Sequence, residues 1–150
     1  MTRQPAVSGT AKPNIGKLLK ELENAYSRAV DMRMRMIGLT KTQSDVLYQL
    51  YQNASLTQRD ICRINNVTEA TLSVLISGLE RKGLLKRESD TADPRKKRLI
   101  LTPSAEHLRK AVIDIKVTVY NALVADMSEK RLAGLASDLR QLLGNLEQLG

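Results

Sequence analysis

Residues 55–83 read SLTQRDICRINNVTEATLSVLISGLERKG, and this stretch predicts two helices joined by a tight polar turn. Thr57 is a favourable N-cap for a short first helix, and Thr68 is one for a longer second helix. The turn falls at Asn65 and Asn66. Apolar residues recur at helical spacing in both helices: Ile61, Cys62 and Ile64 in the first, and Leu72, Leu75, Ile76 and Leu79 in the second. Such a pair is a helix-turn-helix, whose second helix is suited to the major groove of DNA.

Two further helices are predicted before this unit. Apolar residues at three- and four-residue spacing predict a helix over 15–37 that ends at Gly38. A second helix follows, and its N-cap is either Thr40 or Thr42. Asn53 closes it.

A β-hairpin is predicted after the helix-turn-helix. Two short alternating segments, LLKRES (84–89) and RLILT (98–102), flank the turn-forming segment DTADPRKK (90–97). Two long helices follow, starting near Pro103 and at Ser128. The expected fold is therefore mainly α with one small β-hairpin.

The bulk composition fits one folded domain. The chain has 150 residues, of which 42% are hydrophobic, 27% are charged and 3% are aromatic, with no Trp and no Phe. Few rings are left for base stacking, which disfavours readers of RNA or single strands. Cys62 is the only cysteine and is expected to be a buried structural thiol in a reducing compartment. No leader-like or membrane-spanning apolar run occurs, so a cytoplasmic protein without a membrane partner is expected.

The charge favours an anionic partner. The formal net charge is +8 and the isoelectric point is near 9.8. Residues 81–98 hold eight basic against three acidic side chains, and residues 1–40 hold seven against three. Residues 111–150 are close to neutral, with four basic and five acidic side chains. Residues 1–14, rich in Pro, Ser, Thr and Gly, are expected to form a flexible arm.

This order of elements resembles the MarR family of winged helix-turn-helix transcription regulators, over about residues 15–149. Its strongest marks are ATLSVLISGLERKGLLKRES (70–89), similar to the family's recognition helix and first wing strand, and the D-x-R of Asp93 and Arg95. The segments LTKTQSDVLYQL (39–50) and DPRKKRLILT (93–102) also fit.

The resemblance implies a division of the chain into four parts. After the arm, residues 15–40 are expected to form a dimerisation helix and residues 41–102 the winged helix-turn-helix that binds DNA. Residues 103–150 are expected to form C-terminal dimerisation helices. The first helix and the last two would interlock in a homodimer, because long helices with wide apolar faces need more cover than one small domain supplies.

The function implied is that of a repressor that binds a pseudo-palindromic double-stranded operator and releases it on binding a small molecule. Two alternatives remain open from the residues alone. The chain could be a basic architectural protein that coats DNA without sequence preference. It could also be a helical protein-interaction module for an acidic partner.

The recognition helix, Thr68 to Lys82, is expected to turn six residues toward the groove: Thr68, Glu69, Ala70, Thr71, Ser73 and Val74. No Arg or Lys lies between Val67 and Glu80, so bidentate readout of guanine is not expected. Family members often carry long polar or basic side chains where this chain has Val74 and Gly78. Methyl contacts and DNA shape are expected instead.

The basic run after Pro94 would be a solvated loop in the plainest interpretation. The resemblance instead implies that Arg95 enters a minor groove and that Asp93 pairs with a nearby arginine to hold the wing. The remaining candidates for phosphate contact are Lys96, Lys97 and Arg98 in the wing, and Ser55, Thr57 and Gln58 at a helix N-terminus. For Thr57, a purely local capping role is an equal alternative.

An effector site is a further expectation. Met32, Met34 and Met36 could line a pocket with Tyr48 and Tyr120, and of these Met36, Tyr48 and Tyr120 are the candidates for a small lipophilic or phenolic molecule. Methionines that simply fill the core are the alternative. His107 stands alone, so neither a metal nor another cofactor is expected. No nucleophile–base arrangement or phosphate loop occurs, and the chain is not expected to be an enzyme.

Overall fold

The computed structural model describes residues 12–150, and within them it contains six helices and two strands. In chain order these are α1 Ile15–Arg35, α2 Lys41–Gln52, α3 Gln58–Asn65, α4 Glu69–Arg81, β1 Leu85–Ser89, β2 Lys97–Leu101, α5 Pro103–Leu123 and α6 Glu129–Glu147. The predicted mainly α fold with a β-hairpin is confirmed. Most of the predicted arm, residues 1–11, lies outside the described residues.

Side-chain caps start the helices where the sequence predicts them. Thr57, Thr68 and Ser128 each accept a hydrogen bond from the main-chain N–H three residues later. Thr40 is the cap of α2, which settles the choice that the sequence left open. Its partner Gln43 completes a reciprocal capping box. These caps place the helix boundaries through contacts that span three residues only.

The helix-turn-helix of α3 and α4 is fastened to α2 on both sides of its turn. The side-chain amides of Gln49 and Asn65 donate to each other at 2.7 and 2.9 Å, which joins α2 to α3. Asn66 adopts a left-handed backbone with φ 51°, which ends α3. The predicted apolar side of α3 is wrong at one position, because Ile64 is 56% exposed while its neighbours Ile61 and Cys62 are buried. An eight-residue helix packed only along one edge has no room in the core for a third side chain.

The C-terminal half of α4 lies close against α2. A Cβ atom at Gly78 would come within 3.0 Å of the Gln43 side-chain nitrogen. Lys82 Nζ donates to the Gly38 carbonyl oxygen and to Gln43 Oε1, both at 2.6 Å. Gly78 therefore lies at the contact between α4 and α2, and its missing side chain permits this close packing.

The hairpin is a two-stranded antiparallel sheet, with Leu85 opposite Leu101 and Ser89 opposite Lys97. An isolated bridge between Thr57 and Arg98 ties β2 to the start of α3. Lys97 is already part of β2, one residue earlier than the sequence predicts. We call residues 85–101 the wing.

The last two helices differ in how far they enter the core. From α5, the buried side chains are Ala105, Val112 and Val119, and the Tyr51 hydroxyl donates to the Ala105 carbonyl oxygen at 2.5 Å. No residue of α6 is buried. Large apolar side chains stay exposed on α1 (Ile15, Leu18, Leu19, Leu22) and on α6 (Leu135, Leu139, Leu142, Leu143, Leu146). Within residues 12–150, no helix is long and apolar enough to span a bilayer.

Candidate nucleic-acid interface

The wing and the N-terminal ends of α3 and α4 enclose an open cleft of about 610 Å³. Its lining residues come from all three elements: Thr57, Gln58, Arg59, Glu69, Ser73, Arg87, Asp93, Arg95, Lys96 and Lys97. Five of these side chains are cationic and two are carboxylates. The cleft therefore has a positive balance that suits a polyanion.

Eight of the predicted DNA-binding and wing-bracing residues line this cleft: Thr57, Gln58, Glu69, Ser73, Asp93, Arg95, Lys96 and Lys97. Five predicted residues lie outside the cleft and are exposed: Ser55 before α3, the N-cap Thr68, and Ala70, Thr71 and Val74 on α4. Arg98 lies on the opposite face of β2 from Lys97, because successive side chains of a strand point to opposite faces. It lines a second cavity of about 280 Å³ beside Tyr51 and Arg109.

Thr57 is used locally by the helix that it starts. Its hydroxyl accepts from the Asp60 N–H at 3.2 Å, and its own N–H donates to Asp60 Oδ2 at 2.8 Å. The hydrogen bond from the Thr57 N–H to the carboxylate, with a further contribution from the Thr57 side chain, lowers the pKa of Asp60. The geometry thus favours the capping role over phosphate contact for Thr57.

Arg87 joins the wing to α4. Its Nη2 donates to the Ser73 carbonyl oxygen at 2.9 Å and to the Ser77 hydroxyl at 2.8 Å. Its Nε lies 2.9 Å from Glu80 Oε1, without the alignment of a hydrogen bond. The Ser73 hydroxyl also accepts from Nη1, at 3.3 Å. Ser73 is therefore half-buried toward the wing while it lines the cleft, and its expected contact with DNA stays a prediction.

The role of Arg87 and the presence of Arg59 in the cleft were both missed by sequence reasoning. Arg87 lies in the middle of the first wing strand, and its partners lie 10 and 14 residues earlier, on another element. Arg59 is exposed in the first turn of α3. The sequence feature that could have indicated Arg59 as an interface residue is its position beside Gln58 at a helix N-terminus.

Asp93 shapes the tip of the wing through the main chain. Its Oδ1 accepts from the Arg95 N–H at 3.0 Å, and its carbonyl oxygen accepts from the Lys96 N–H at 3.0 Å. These contacts are with the main chain, and the expected pairing of Asp93 with an arginine stays a prediction. The tight turn leaves the Arg95 side chain exposed at the tip.

The outer face of α4 is short of free polar groups. Val74 is 71% exposed, and Ala70 and Thr71 are exposed beside it. The Thr68 hydroxyl accepts from the Thr71 N–H at 3.1 Å and donates to the Thr71 hydroxyl at 2.9 Å. The basic residue of α4, Arg81, lies in its last turn, so the part of this face around Val74 carries no Arg or Lys.

Comparison with known proteins places this geometry in a family. A model of the MarR family matches residues 37–96. The crystal structure of the S. aureus MepR–DNA complex is similar, with 29% identity, a TM-score of 0.83, and 89% of this chain and 99% of that chain covered. The transcriptional regulator PA3341 has 32% identity and a TM-score of 0.79, covering 89% and 98%. The regulator MarR from Oenococcus oeni has 26% identity and a TM-score of 0.73, covering 87% and 99%. The chain belongs to the MarR family.

Membership of the MarR family confirms several predictions made from the sequence. The six helices and the two-stranded hairpin match MarR-family structures, which confirms the winged helix-turn-helix fold. MarR-family proteins regulate transcription and have no enzymatic activity, which confirms that the chain is a regulator rather than an enzyme.

The residues expected to bind an effector in this MarR-family chain do not form one cluster. Met34 is fully buried in the core, whereas Met36 is 85% exposed and Tyr120 is 51% exposed. Tyr48 is partly buried, and its ring lies 5.0 Å from Lys116 Nζ. None of these residues lines either of the two cavities described above. Core filling is thus the role of Met34, and the effector assignment of Met36, Tyr48 and Tyr120 stays a prediction.

Cys62 is buried, as the sequence predicts, in the helix-turn-helix. Burial raises the pKa of its thiol, and the nearby Glu69 carboxylate adds to this effect. A raised thiol pKa lowers the fraction of reactive thiolate at neutral pH. Its environment is that of a structural thiol.

Proposed function

We propose that this chain is a cytoplasmic, homodimeric repressor that binds a pseudo-palindromic site in double-stranded DNA and releases it on binding a small lipophilic or phenolic effector. The observation that carries the proposal is the cationic cleft between the recognition helix, α3 and the wing. Its shape and charge suit one sugar–phosphate strand. The similar protein MepR has been solved in complex with DNA, which supports a duplex as the ligand.

The cleft divides the contacts among three elements. Arg59, Lys96 and Lys97 lie on its rim and are exposed, so they are available to phosphates on the strand that crosses between α3 and the wing. The recognition helix then enters the major groove with its exposed N-terminal half. Arg95, at the tip of the wing, reaches the adjacent minor groove, where a guanidinium is favoured if the groove is narrow and A·T-rich.

The exposed apolar faces of α1 and α6 support a dimer. Both helices keep rows of leucines in contact with solvent in the single chain, and α6 buries no residue at all. A contiguous apolar surface of this kind is covered in a stable protein. A second copy supplies a matching surface, since a two-fold interface pairs one patch with itself. It also sets two recognition helices about one DNA turn, roughly 34 Å, apart.

Selection of binding sites from a random pool of duplexes tests the proposal. We expect a recovered site with two inverted half-sites, bound more tightly than its scrambled version in fluorescence anisotropy at physiological salt. Equal affinity for both duplexes would favour the architectural alternative. Failure of any duplex to bind at low salt would favour the protein-interaction alternative.

The effector part of the proposal rests on a polar network that joins the two functional parts of the chain. Asp45 of α2 accepts from Lys41 Nζ at 2.8 Å and from Lys116 Nζ of α5 at 2.7 Å. Tyr48 packs under the same Lys116. A small molecule bound beside Tyr48 would shift α2 relative to α5 and so change the spacing of the recognition helices. This step is tested by adding a panel of phenols to the complex with the selected duplex and measuring release of the DNA. The Tyr48→Ala variant is expected to keep its DNA in the presence of the same phenols.

A further inference from the structure

We infer that the recognition helix reads thymine through its 5-methyl group and that Val74 determines this specificity. The inference rests on the proposed function and deepens it, because it names the chemical feature of the operator that α4 recognises. Its basis is the juxtaposition of Ala70, Thr71 and Val74 on the one face of α4 that is left to DNA.

The three residues share a helix face. Val74 lies four residues after Ala70 and three after Thr71, so it neighbours both on the helix surface. The core side of α4 holds its buried residues Leu72, Ile76 and Leu79. Val74 stands at the centre of the exposed side with 71% of its surface open. A single exposed valine needs no explanation by itself. Here its neighbours on the face carry only a methyl group and a threonine side chain.

The hydroxyls near this face each hold a hydrogen bond within the protein, and a single short hydroxyl cannot make the two contacts of a bidentate readout. Arg87 occupies the hydroxyls of Ser73 and Ser77. The hydroxyls of Thr68 and Thr71 bond to each other at 2.9 Å. Readout of guanine or adenine requires a long side chain with two hydrogen-bonding groups aimed at one base edge, and α4 carries none before Glu80 except Glu69. The thymine methyl is the base feature that an apolar side chain recognises in the major groove.

The basic side chains proposed to contact phosphates lie outside α4. The residues that supply affinity are therefore different from those that distinguish one base from another. Arg59 belongs to α3, and Lys96 and Lys97 belong to the wing. Phosphate contacts from these residues supply affinity that is independent of sequence. A loss on the α4 face therefore changes discrimination between bases, whereas the loss of Arg59, Lys96 or Lys97 changes binding to all duplexes.

The experiment replaces thymidine by deoxyuridine in the duplex recovered by selection, one position at a time within each half-site. Deoxyuridine keeps every hydrogen-bonding group and removes only the methyl. We expect a three- to fivefold loss of affinity at each thymine that Val74 covers, on the order of one buried methyl group. Val74→Ala should weaken binding to the thymidine duplex by a similar factor and should abolish the further loss caused by deoxyuridine at that position.

The variant is expected to fold, because Val74 is exposed and alanine is the better helix former. Lys97→Ala is the matched control, since it should weaken both duplexes equally and keep the full effect of deoxyuridine. Wild-type affinity that does not respond to deoxyuridine, or a Val74→Ala variant that responds as strongly as the wild type, would overturn the inference while leaving the proposed function intact. Failure of the wild type to select any site would overturn both.

Discussion

The Arg87 guanidinium donates to the main-chain carbonyl oxygen of Ser73 at 2.9 Å, and so the first strand of the wing is fastened to the middle of the recognition helix. The same side chain also reaches the Ser77 hydroxyl, and it lies beside the Glu80 carboxylate. Arg87 is 20% exposed, so these contacts are shielded from solvent. The wing and α4 are thereby held at one relative position.

Replacing Arg87 is expected to disturb this relative position. Arg87→Ala should lower the ratio of affinities for selected and scrambled duplexes by about tenfold and the free energy of unfolding by about 1–3 kcal/mol, because it leaves buried acceptors without a donor. Anisotropy and urea unfolding measure the two effects. Lys86→Ala, an exposed change on the neighbouring strand position, is the control. An unchanged affinity ratio would show that the wing does not depend on Arg87 for its position.

The tip and the strand of the wing should respond differently to loss of charge. Arg95→Ala should weaken binding and relax the preference for A·T-rich flanks, because Arg95 is the exposed tip residue proposed to enter the minor groove. Lys97→Ala should weaken binding to all sequences alike and reduce the slope of log affinity against log salt by about one. Anisotropy across a salt series on duplexes with A·T-rich and G·C-rich flanks separates the two. Unchanged affinity after Arg95→Ala would refute its placement in the groove.

A side chain larger than hydrogen at position 78 is expected to lower the stability of the fold. Gly78→Ala should lower the free energy of unfolding by about 1 kcal/mol, since overpacking costs roughly 1–3 kcal/mol and the better helix propensity of alanine returns about 1 kcal/mol. The contacted Gln43 cannot easily move, because its Oε1 accepts from the Thr40 N–H and from Lys82 Nζ. Gly134→Ala in α6, where a Cβ meets nothing within 4 Å, is the matched control and should be stabilising. Equal effects of the two changes in urea unfolding would argue against the close approach of α4 to α2.

Tyr51 should make stability depend on pH in the alkaline range. Burial, with the nearby Glu106 carboxylate, raises the pKa of Tyr51 from 10.0 to about 12, against the opposing effect of Arg109. The fold favours the neutral phenol, so this contribution is complete below pH 10 and is lost as the pH rises toward 12. Between pH 9 and 11.5 the wild type should lose about 2 kcal/mol more unfolding free energy than Tyr51→Phe. Parallel pH profiles of the two proteins would contradict the raised pKa.

A charge placed on α6 should break the proposed dimer. Leu146 is 64% exposed in the single chain, so Leu146→Glu should leave each subunit folded. Burying an unpaired carboxylate at an apolar interface is strongly unfavourable, and light scattering should then report the mass of one 16.7 kDa chain. Arg140→Glu, an exposed charge reversal on the same helix, should keep the dimer mass. A dimeric Leu146→Glu protein would place the interface elsewhere.

The sequence by itself determined the elements and their order, because each depends on contacts over a few residues. Thr57, Thr68 and Ser128 start helices by bonding an N–H three positions away, and such signals are complete within the local sequence. The alternating segments around Asp93 and Pro94 likewise predict a hairpin. The basic side chains at its tip followed from their position in that hairpin.

The tertiary structure alone decided which way several of these side chains face. Ser73 is bound by Arg87, which is 14 residues away, and Gly78 lies against Gln43 on another helix. Ile64 stays exposed because the short α3 presents only one edge to the core, and Arg98 faces away from the cleft that Lys97 lines. Periodicity gives the angle of a side chain around its own helix or strand. Whether that angle meets core, partner side chain or solvent depends on elements that become neighbours only when the chain folds.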